Sequence, residues 1–201
     1  MDPIAPVLPT VIGLAGLKGA GKDTVAAHLI SMYGFTRVAF GDPLKAAIAA
    51  MFEVDPAFLE QRENKERPVE KVLGYTPRVL WQTLGTEWGR QIIDRDIWVK
   101  LADRKIRRLQ DAGSSLIVVP DVRFPNEIEF FRSLVGGAVW WIHRPGENND
   151  THASENSIDI TMADDVIHNN GTIEMLYVQV GVNFANLRRR AIRRAFKSSA
   201  V

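Results

Sequence analysis

Gly16-Leu-Lys-Gly-Ala-Gly-Lys-Asp-Thr24 is the stretch on which the reading of this chain turns. It follows the apolar run Val11-Ile-Gly-Leu-Ala15, read as a buried strand, and opens a helix running from about Lys22 to Tyr33. A Gly-rich turn between a strand and a helix is the setting that a phosphate-binding loop requires. Glycines let backbone N–H groups turn inward around phosphate oxygens, and the helix N-terminus adds partial positive charge. Lys22 brings a full charge to the outer two phosphates. The residues expected to hold the phosphates are Gly16, Lys18, Gly19, Ala20, Gly21, Lys22, Asp23 and Thr24. The usual pattern has Ser or Thr directly after the lysine, but here Asp23 stands there and Thr24 comes one later. Thr24 is therefore expected to bind either a phosphate or Mg²⁺, the ion being held mainly through water.

Outward from the loop, short apolar runs alternate with helical periods. Thr36–Phe40, Leu116–Val119, Ala138–Ile142 and Asp165–His168 read as further strands. Leu44, Ala47, Ile48, Met51 and Phe52 recur as one helix face. Thr76-Pro-Arg78 starts a helix with Thr as N-cap and Pro at the first position, followed by the stripe Leu80, Leu84, Trp88, Ile92. Ile97–Leu109 places Trp98, Ala102, Ile106 and Leu109 on one side, and a helix is expected from about Asn126 to Leu134. A long C-terminal helix is expected to bury Ile173, Leu176, Tyr177, Val180, Phe184 and Leu187. Residues 53–75 read as charged and irregular, either a solvated surface segment or a mobile flap over a substrate. This alternation predicts an α/β fold, a three-layer sandwich with a five-stranded parallel sheet and helices on both faces. A single domain is expected, with its core at about 11–52 and 112–195, a helical insertion at about 53–111 and a lid loop at about 144–163.

Composition narrows the function classes. The chain has 201 residues, 46% hydrophobic and 24% charged, with 25 Lys plus Arg against 24 Asp plus Glu. A net charge of +1 argues against a polybasic nucleic-acid binder. The lack of cysteine removes thiol nucleophiles, iron–sulfur clusters and thiolate zinc sites. No apolar run approaches the ~20 residues needed to span a bilayer, and Met1–Thr10 is unlike a signal peptide. A cytoplasmic protein is expected.

Ligands of such sheets bind beyond the carboxyl ends of the strands. Asp121, after the third strand, is placed to hold Mg²⁺ through water or to orient the acceptor's surroundings, and Arg123 is placed to clamp a phosphate. Arg78, Gln82, Thr86 and Arg90 form polar positions along the 76–90 helical region: Gln82 would read a base edge, and Arg78 or Arg90 would hold a 5′-phosphate. Arg144 opens the expected lid, to neutralise transferring charge or stack on adenine, with Arg132 or Arg104 as alternatives. Asn170 and Gly171, after the last strand, are expected near the donor's base. The basic tail, Arg188–Lys197, reads as a solvated helix end.

These motifs carry a resemblance. The loop's Gly-Lys-x-Thr form is similar to that of nucleoside monophosphate kinases. Gly41-Asp-Pro-Leu-Lys45 is similar to the Gly-Asp-x-Leu-Arg segment of adenylate-kinase-like enzymes, which implies that Asp42 and Lys45 meet the acceptor nucleotide; the purely structural alternative is that Asp42 caps a helix. Together with Gln82-Thr-Leu-Gly-Thr-Glu87, Asp94-Arg-Asp-Ile-Trp98, Asp121-Val-Arg-Phe-Pro-Asn-Glu127, His152-Ala-Ser-Glu155 and Asn169-Asn-Gly-Thr172, the ordered set resembles the phage-type deoxynucleoside monophosphate kinases over about residues 11–180. The resemblance implies a P-loop NTPase-type fold with helical acceptor-binding and lid insertions. It implies transfer of the ATP γ-phosphoryl to a deoxynucleoside monophosphate, with Mg²⁺ and a homodimer. A kinase for another small acceptor and a nucleotide-dependent regulatory module remain the competing readings.

Overall fold

Successive residues of the first strand face opposite ways, and that alternation sets the layers. In a computed structural model describing residues 9–146 and 157–198, the strands are β1 (Thr10–Ala15), β2 (Thr36–Arg37), β3 (Leu116–Val119), β4 (Gly137–His143) and β5 (Asp165–His168). The helices are α1 (Lys22–Tyr33), α2 (Asp42–Met51), α3 (Pro56–Glu60), α4 (Arg62–Lys65), α5 (Pro77–Gln82), α6 (Ile97–Asp111), α7 (Pro125–Ser133) and α8 (Ile173–Ser198). The chain divides into two compact units: Met1–Val38 with Asp103–Val201, and Ala39–Ala102.

The first unit holds a five-stranded sheet of order β2-β3-β1-β4-β5 with every neighbouring pair parallel. Ile12 and Leu14 of β1 share one face with Ala138, Trp140 and Ile142 of β4, where Val25 and Leu29 of α1 and Leu176, Val180, Phe184 and Leu187 of α8 cover them. Gly13 points the other way, and a Cβ there would lie 2.7 Å from the Phe131 ring of α7. Covering on both faces explains why these strands read as continuous apolar runs. The three-layer α/β fold is as the sequence predicts.

Two details differ. The second strand stops at Arg37; Val38 adds one more N–H bond to the Val118 carbonyl (3.0 Å), and Ala39 and Phe40 are buried without being strand. Ile173 is exposed, so the buried face of α8 begins at Leu176, while Tyr177 stacks on His28 at 3.8 Å. No described helix is long and apolar enough to cross a membrane.

In the second unit, residues 53–75 are not a plain solvated stretch. They form α3, α4 and a 3₁₀ turn (Glu70–Val72), and Leu59, Val69 and Val72 are buried with Ile48 and Ala49, packed by Leu80, Trp81 and Leu84. Thr76 caps α5 as expected, its Oγ1 accepting the Val79 N–H at 3.2 Å, with Pro77 at the first position. Beyond Gln82 the chain widens into a π-helix over Thr83–Ile93. The closing bond from Asp94 N–H to the Gly89 carbonyl (2.9 Å) is of the i→i+5 type. The wider turn rotates the expected stripe off the core. Trp88 and Ile92 are exposed, and Gly85 and Gly89 are buried instead. Trp98, at the start of α6, fills the space that Gly89 leaves, and Leu44 lies against Gly85; the Trp98 Nε1 donates to the Gly85 carbonyl at 2.8 Å.

Candidate active site

The phosphate loop joins β1 to α1 at the carboxyl end of the sheet. Three of its glycines take positive φ: Gly16 at 134°, Gly19 at 80° and Gly21 at 104°. Side chains there would be strained. Two positions are also sterically closed. A Cβ at Gly16 would meet the Ile142 carbonyl oxygen at 2.4 Å, and one at Gly21 would meet the Asn169 side-chain nitrogen at 2.5 Å. Nothing lies within 4 Å of the Cβ position at Gly19. Ala20 is buried, and its N–H donates to the Leu17 carbonyl at 3.1 Å. Gly21 is the N-cap of α1, so Lys22, Asp23 and Thr24 form the helix's first turn. The Lys22 Nζ donates to the carbonyls of Gly16 (2.6 Å) and Leu17 (2.9 Å), which curls the side chain over the loop. Lys18 and Asp23 are exposed and Thr24 is half-buried.

Asp121 and Arg123 lie on the turn between β3 and α7. That turn is tied to β1 by the Val122 N–H donating to the Leu14 carbonyl at 3.2 Å, two residues before the loop begins. The Glu127 carboxylate, 1% exposed, accepts the N–H groups of Arg123 (2.6 Å) and Phe124 (3.1 Å). Glu127 closes the Asp121–Glu127 motif, where the sequence alone marks no role for it.

At the far side of the loop, Asn169 extends the β4–β5 ladder. Its N–H donates to the His143 carbonyl at 2.7 Å, and its Nδ2 donates to the Ala20 carbonyl at 2.8 Å. The expected donor-side pair, Asn170 and Gly171, is exposed beside it. Asn169 carries no local signal in the sequence, because its side-chain bond spans 149 positions. Arg144 is exposed one residue past β4; Arg104 is exposed on α6, and Arg132 donates to the Met162 carbonyl at 2.8 Å. Half of the expected lid, residues 147–156 with His152-Ala-Ser-Glu155, lies outside the described residues. In the basic tail, Arg190 pairs with Asp165 and Arg188 lies over the Phe184 ring at 5.9 Å, so part of that charge is used by the fold.

Of the residues expected at the acceptor, all but Arg123 are in the second unit. Asp42 does not cap α2. Gly41 takes that place, and the Asp42 carboxylate accepts the Ala39 N–H at 3.1 Å. Lys45 pairs with Glu60 at 3.1 Å and sits 5.8 Å from the centre of the Trp81 ring. Arg78 pairs with Glu66 at 2.7 Å. Gln82 and Thr86 are half-buried, and Arg90 donates to the Arg95 carbonyl at 3.4 Å. Lys45, Trp81 and Arg78 thus gather on α2 and α5 with two acids from 60–66.

Known proteins resemble this chain over most of its length. The family model for deoxynucleotide monophosphate kinase matches residues 57–180. A protein of Acanthamoeba polyphaga mimivirus with a provisional deoxynucleotide monophosphate kinase description is 38% identical, over 85% of this chain and 93% of its own. The deoxynucleotide monophosphate kinase of Enterobacteria phage T4 is 25% identical, over 85% of this chain and 96% of its own. Among solved structures, TT1252 of Thermus thermophilus superposes with a TM-score of 0.51 at 21% identity, covering 90% of this chain and 98% of that one, a likeness of fold. With a family match over more than half its length and a relative alike along most of it, the chain belongs to the deoxynucleotide monophosphate kinase family.

Proposed function

We propose that this protein transfers the γ-phosphoryl group of ATP to a deoxynucleoside 5′-monophosphate, giving the diphosphate and ADP. The observation that carries the reading is the loop Gly16–Thr24, with three positive-φ glycines, a helix N-terminus and Lys22 curled over it. Phosphoryl transfer is catalysed mainly by positioning and charge neutralisation, and these parts supply both. Gly16, Lys18, Gly19, Ala20, Gly21, Lys22, Asp23 and Thr24 hold the donor's phosphates, and Asn170 and Gly171 border its base. Arg123 and Arg144 neutralise charge on the moving group. Thr24 and Asp121 offer hard oxygen donors of the kind Mg²⁺ accepts, so they are the residues that would hold the ion, directly or through water. The bound ion would neutralise phosphate charge. Asp42, Lys45, Arg78, Gln82, Thr86, Arg90 and also Arg123 hold the acceptor, with the insertion at about 53–111 as its framework and the 144–163 loop as the lid. A lid limits attack by water.

The test is ADP release from Mg-ATP with each common deoxynucleoside monophosphate, ribonucleotide controls and a Lys22→Ala variant. Turnover that needs an acceptor and is lost in the variant supports the reading. ATP binding without stimulation by any acceptor would overturn it in favour of a different acceptor or a nucleotide-dependent switch. We further propose a homodimer, supported by an apolar strip on α8: Met175, Val178, Val182 and Ile192 are all exposed.

A further inference from the structure

We infer that Asn169 is a positioning residue for the donor's phosphates: it holds the Ala20–Gly21 peptide so that the loop's N–H groups face the phosphate side. The inference rests on the reading of Gly16–Thr24 as the donor loop, and assigns a role to a residue outside that loop.

The argument begins with the strand ends. His143 and His168 are register partners at the carboxyl ends of β4 and β5. The Asn169 N–H, donating to the His143 carbonyl at 2.7 Å, continues that ladder by one residue. The backbone of Asn169 is therefore set by the sheet. From that fixed point the side chain reaches the phosphate loop and donates to the Ala20 carbonyl at 2.8 Å.

A peptide is planar and, in this chain, trans throughout the described residues. In a trans peptide the carbonyl and the following N–H point in opposite directions. Drawing the Ala20 carbonyl toward Asn169 therefore turns the Gly21 N–H away from β5. The same contact explains the glycine at position 21. Its φ is 104°, and a Cβ would lie 2.5 Å from the Asn169 amide nitrogen. The amide packs where a side chain would otherwise be. At the other end of the loop, the Ile142 carbonyl of β4 fills the Cβ position of Gly16. The sheet thus grips both ends of the loop and leaves Gly19 open. Preorganised N–H donors gain from being fixed before charge arrives, because no reorganisation is then needed.

Asn169 also sits beside Asn170 and Gly171, where the donor's base is expected. A base-reading role and a loop-positioning role differ in what they respond to. Loop positioning acts on any ligand carrying the phosphates, whereas base reading acts only on ligands carrying the ring.

The experiment measures KM for ATP, KM for the acceptor, the ATP-to-GTP preference and inhibition by inorganic tripolyphosphate. The proteins are the wild type, Asn169→Asp, Asn169→Ala and Lys22→Ala, with melting temperatures for all. Asn169→Asp keeps the side chain's shape and removes the donor. Both Asn169 variants are expected to raise the ATP KM and the tripolyphosphate inhibition constant by about tenfold, the scale of one lost hydrogen bond. The acceptor KM is expected to stay within about twofold, with the ATP-to-GTP ratio unchanged. If Lys22→Ala weakens ATP and tripolyphosphate but the Asn169 variants do not, the inference is wrong and the donor loop stands. If the Asn169 variants alter the ATP-to-GTP ratio and leave tripolyphosphate untouched, Asn169 reads the base and the inference is again wrong. If Lys22→Ala changes neither ligand, the donor-loop reading falls and takes this inference with it. Should Asn169→Asp melt too low to assay, Asn169→Ser, with a hydroxyl of shorter reach, carries the same comparison.

Discussion

The Glu127 carboxylate accepts the backbone N–H of Arg123 at 2.6 Å from a position almost wholly closed to solvent. A second bond, from the Phe124 N–H, closes the pair, so one buried acid anchors the helix side of the turn bearing Asp121 and Arg123. Hydrogen bonds to an ionised group contribute about 1.5–3 kcal/mol each. Glu127→Ala removes both and leaves two N–H groups and a cavity. It is expected to destabilise the protein by about 2–4 kcal/mol in urea unfolding. Glu127→Gln keeps a carbonyl oxygen to accept from the turn and is expected to lose less. Equal stability of wild type and Glu127→Ala would mean that the turn is held by other contacts.

The pairs Lys45–Glu60 and Arg78–Glu66 give the acceptor reading a sign to test. A phosphate held by these cations must compete with the two acids. Lys45→Ala and Arg78→Ala are each expected to raise the acceptor KM by about 10- to 100-fold, the scale of a lost charge-assisted contact. The ATP KM is expected to stay unchanged, because a mutation that removes binding to one substrate shows in that substrate's constant. Glu60→Gln and Glu66→Gln are expected to move the acceptor KM the other way. Steady-state kinetics with each substrate varied in turn settles all four.

What the sequence discloses and what it hides follow from how far each signal reaches. β1, β3, β4 and β5 are legible because a parallel sheet buried on both faces leaves unbroken apolar runs. The loop at 16–24 is legible because its chemistry is contiguous. Leu59, Val69 and Val72 are hidden because helices of four or five residues barely exceed one turn and repeat no pattern, so three buried side chains scattered among charges read as surface. The stripe through Leu80, Leu84, Trp88 and Ile92 misleads because it assumes 3.6 residues per turn, and the chain departs from that at Thr83. Asn169 is hidden because its partner is in a different part of the chain.

Gly89 makes the π-helix testable. Its Cα lies so close to the Trp98 ring that an added Cβ would come within 2.4 Å of Cζ2. Trp98 is itself held by its bond to the Gly85 carbonyl, so the ring has little freedom to retreat. Gly89→Ala is expected to destabilise by about 1–3 kcal/mol through overpacking, although alanine favours an ordinary helix over glycine. An unchanged or higher melting temperature would show that helix propensity outweighs the clash.

His28 supplies a pH dependence. Its ring stacks on Tyr177 at 3.8 Å and meets Tyr33 edge-on at 5.9 Å, and Arg189 lines the same groove. Loss of solvent lowers its pKa below the ordinary 6.5. Between the folded and unfolded values the unfolded chain binds more protons, so stability rises with pH there. The contribution is fully present above 6.5 and is lost as pH falls through the lowered value. The melting temperature is expected to drop between pH 7.5 and 5.5, and His28→Gln is expected to flatten that slope. A slope of equal steepness in the variant would assign it to other groups.

The exposed side of α8 bears on the proposed homodimer. Met175, Val178, Val182, Ala185, Arg189 and Ile192 are spaced by three and four residues in turn, the seam of a paired helix, and they lie on the side opposite Leu176, Val180 and Leu187. Glu174 and Arg188 stand seven positions before and after Gly181. In an antiparallel pairing of two α8 helices that crosses at Gly181, each Glu174 meets Arg188 of the second copy. Light scattering is expected to give a dimer for the wild type and a monomer for Val178→Glu, which places a charge within the strip, three residues from the crossing. Arg188→Glu is expected to weaken the dimer, and adding Glu174→Arg is expected to restore it, because the exchange returns opposite charges to facing positions. A Val178→Glu protein that remains dimeric would place the interface elsewhere, and a wild type that stays monomeric at high concentration would end the homodimer proposal.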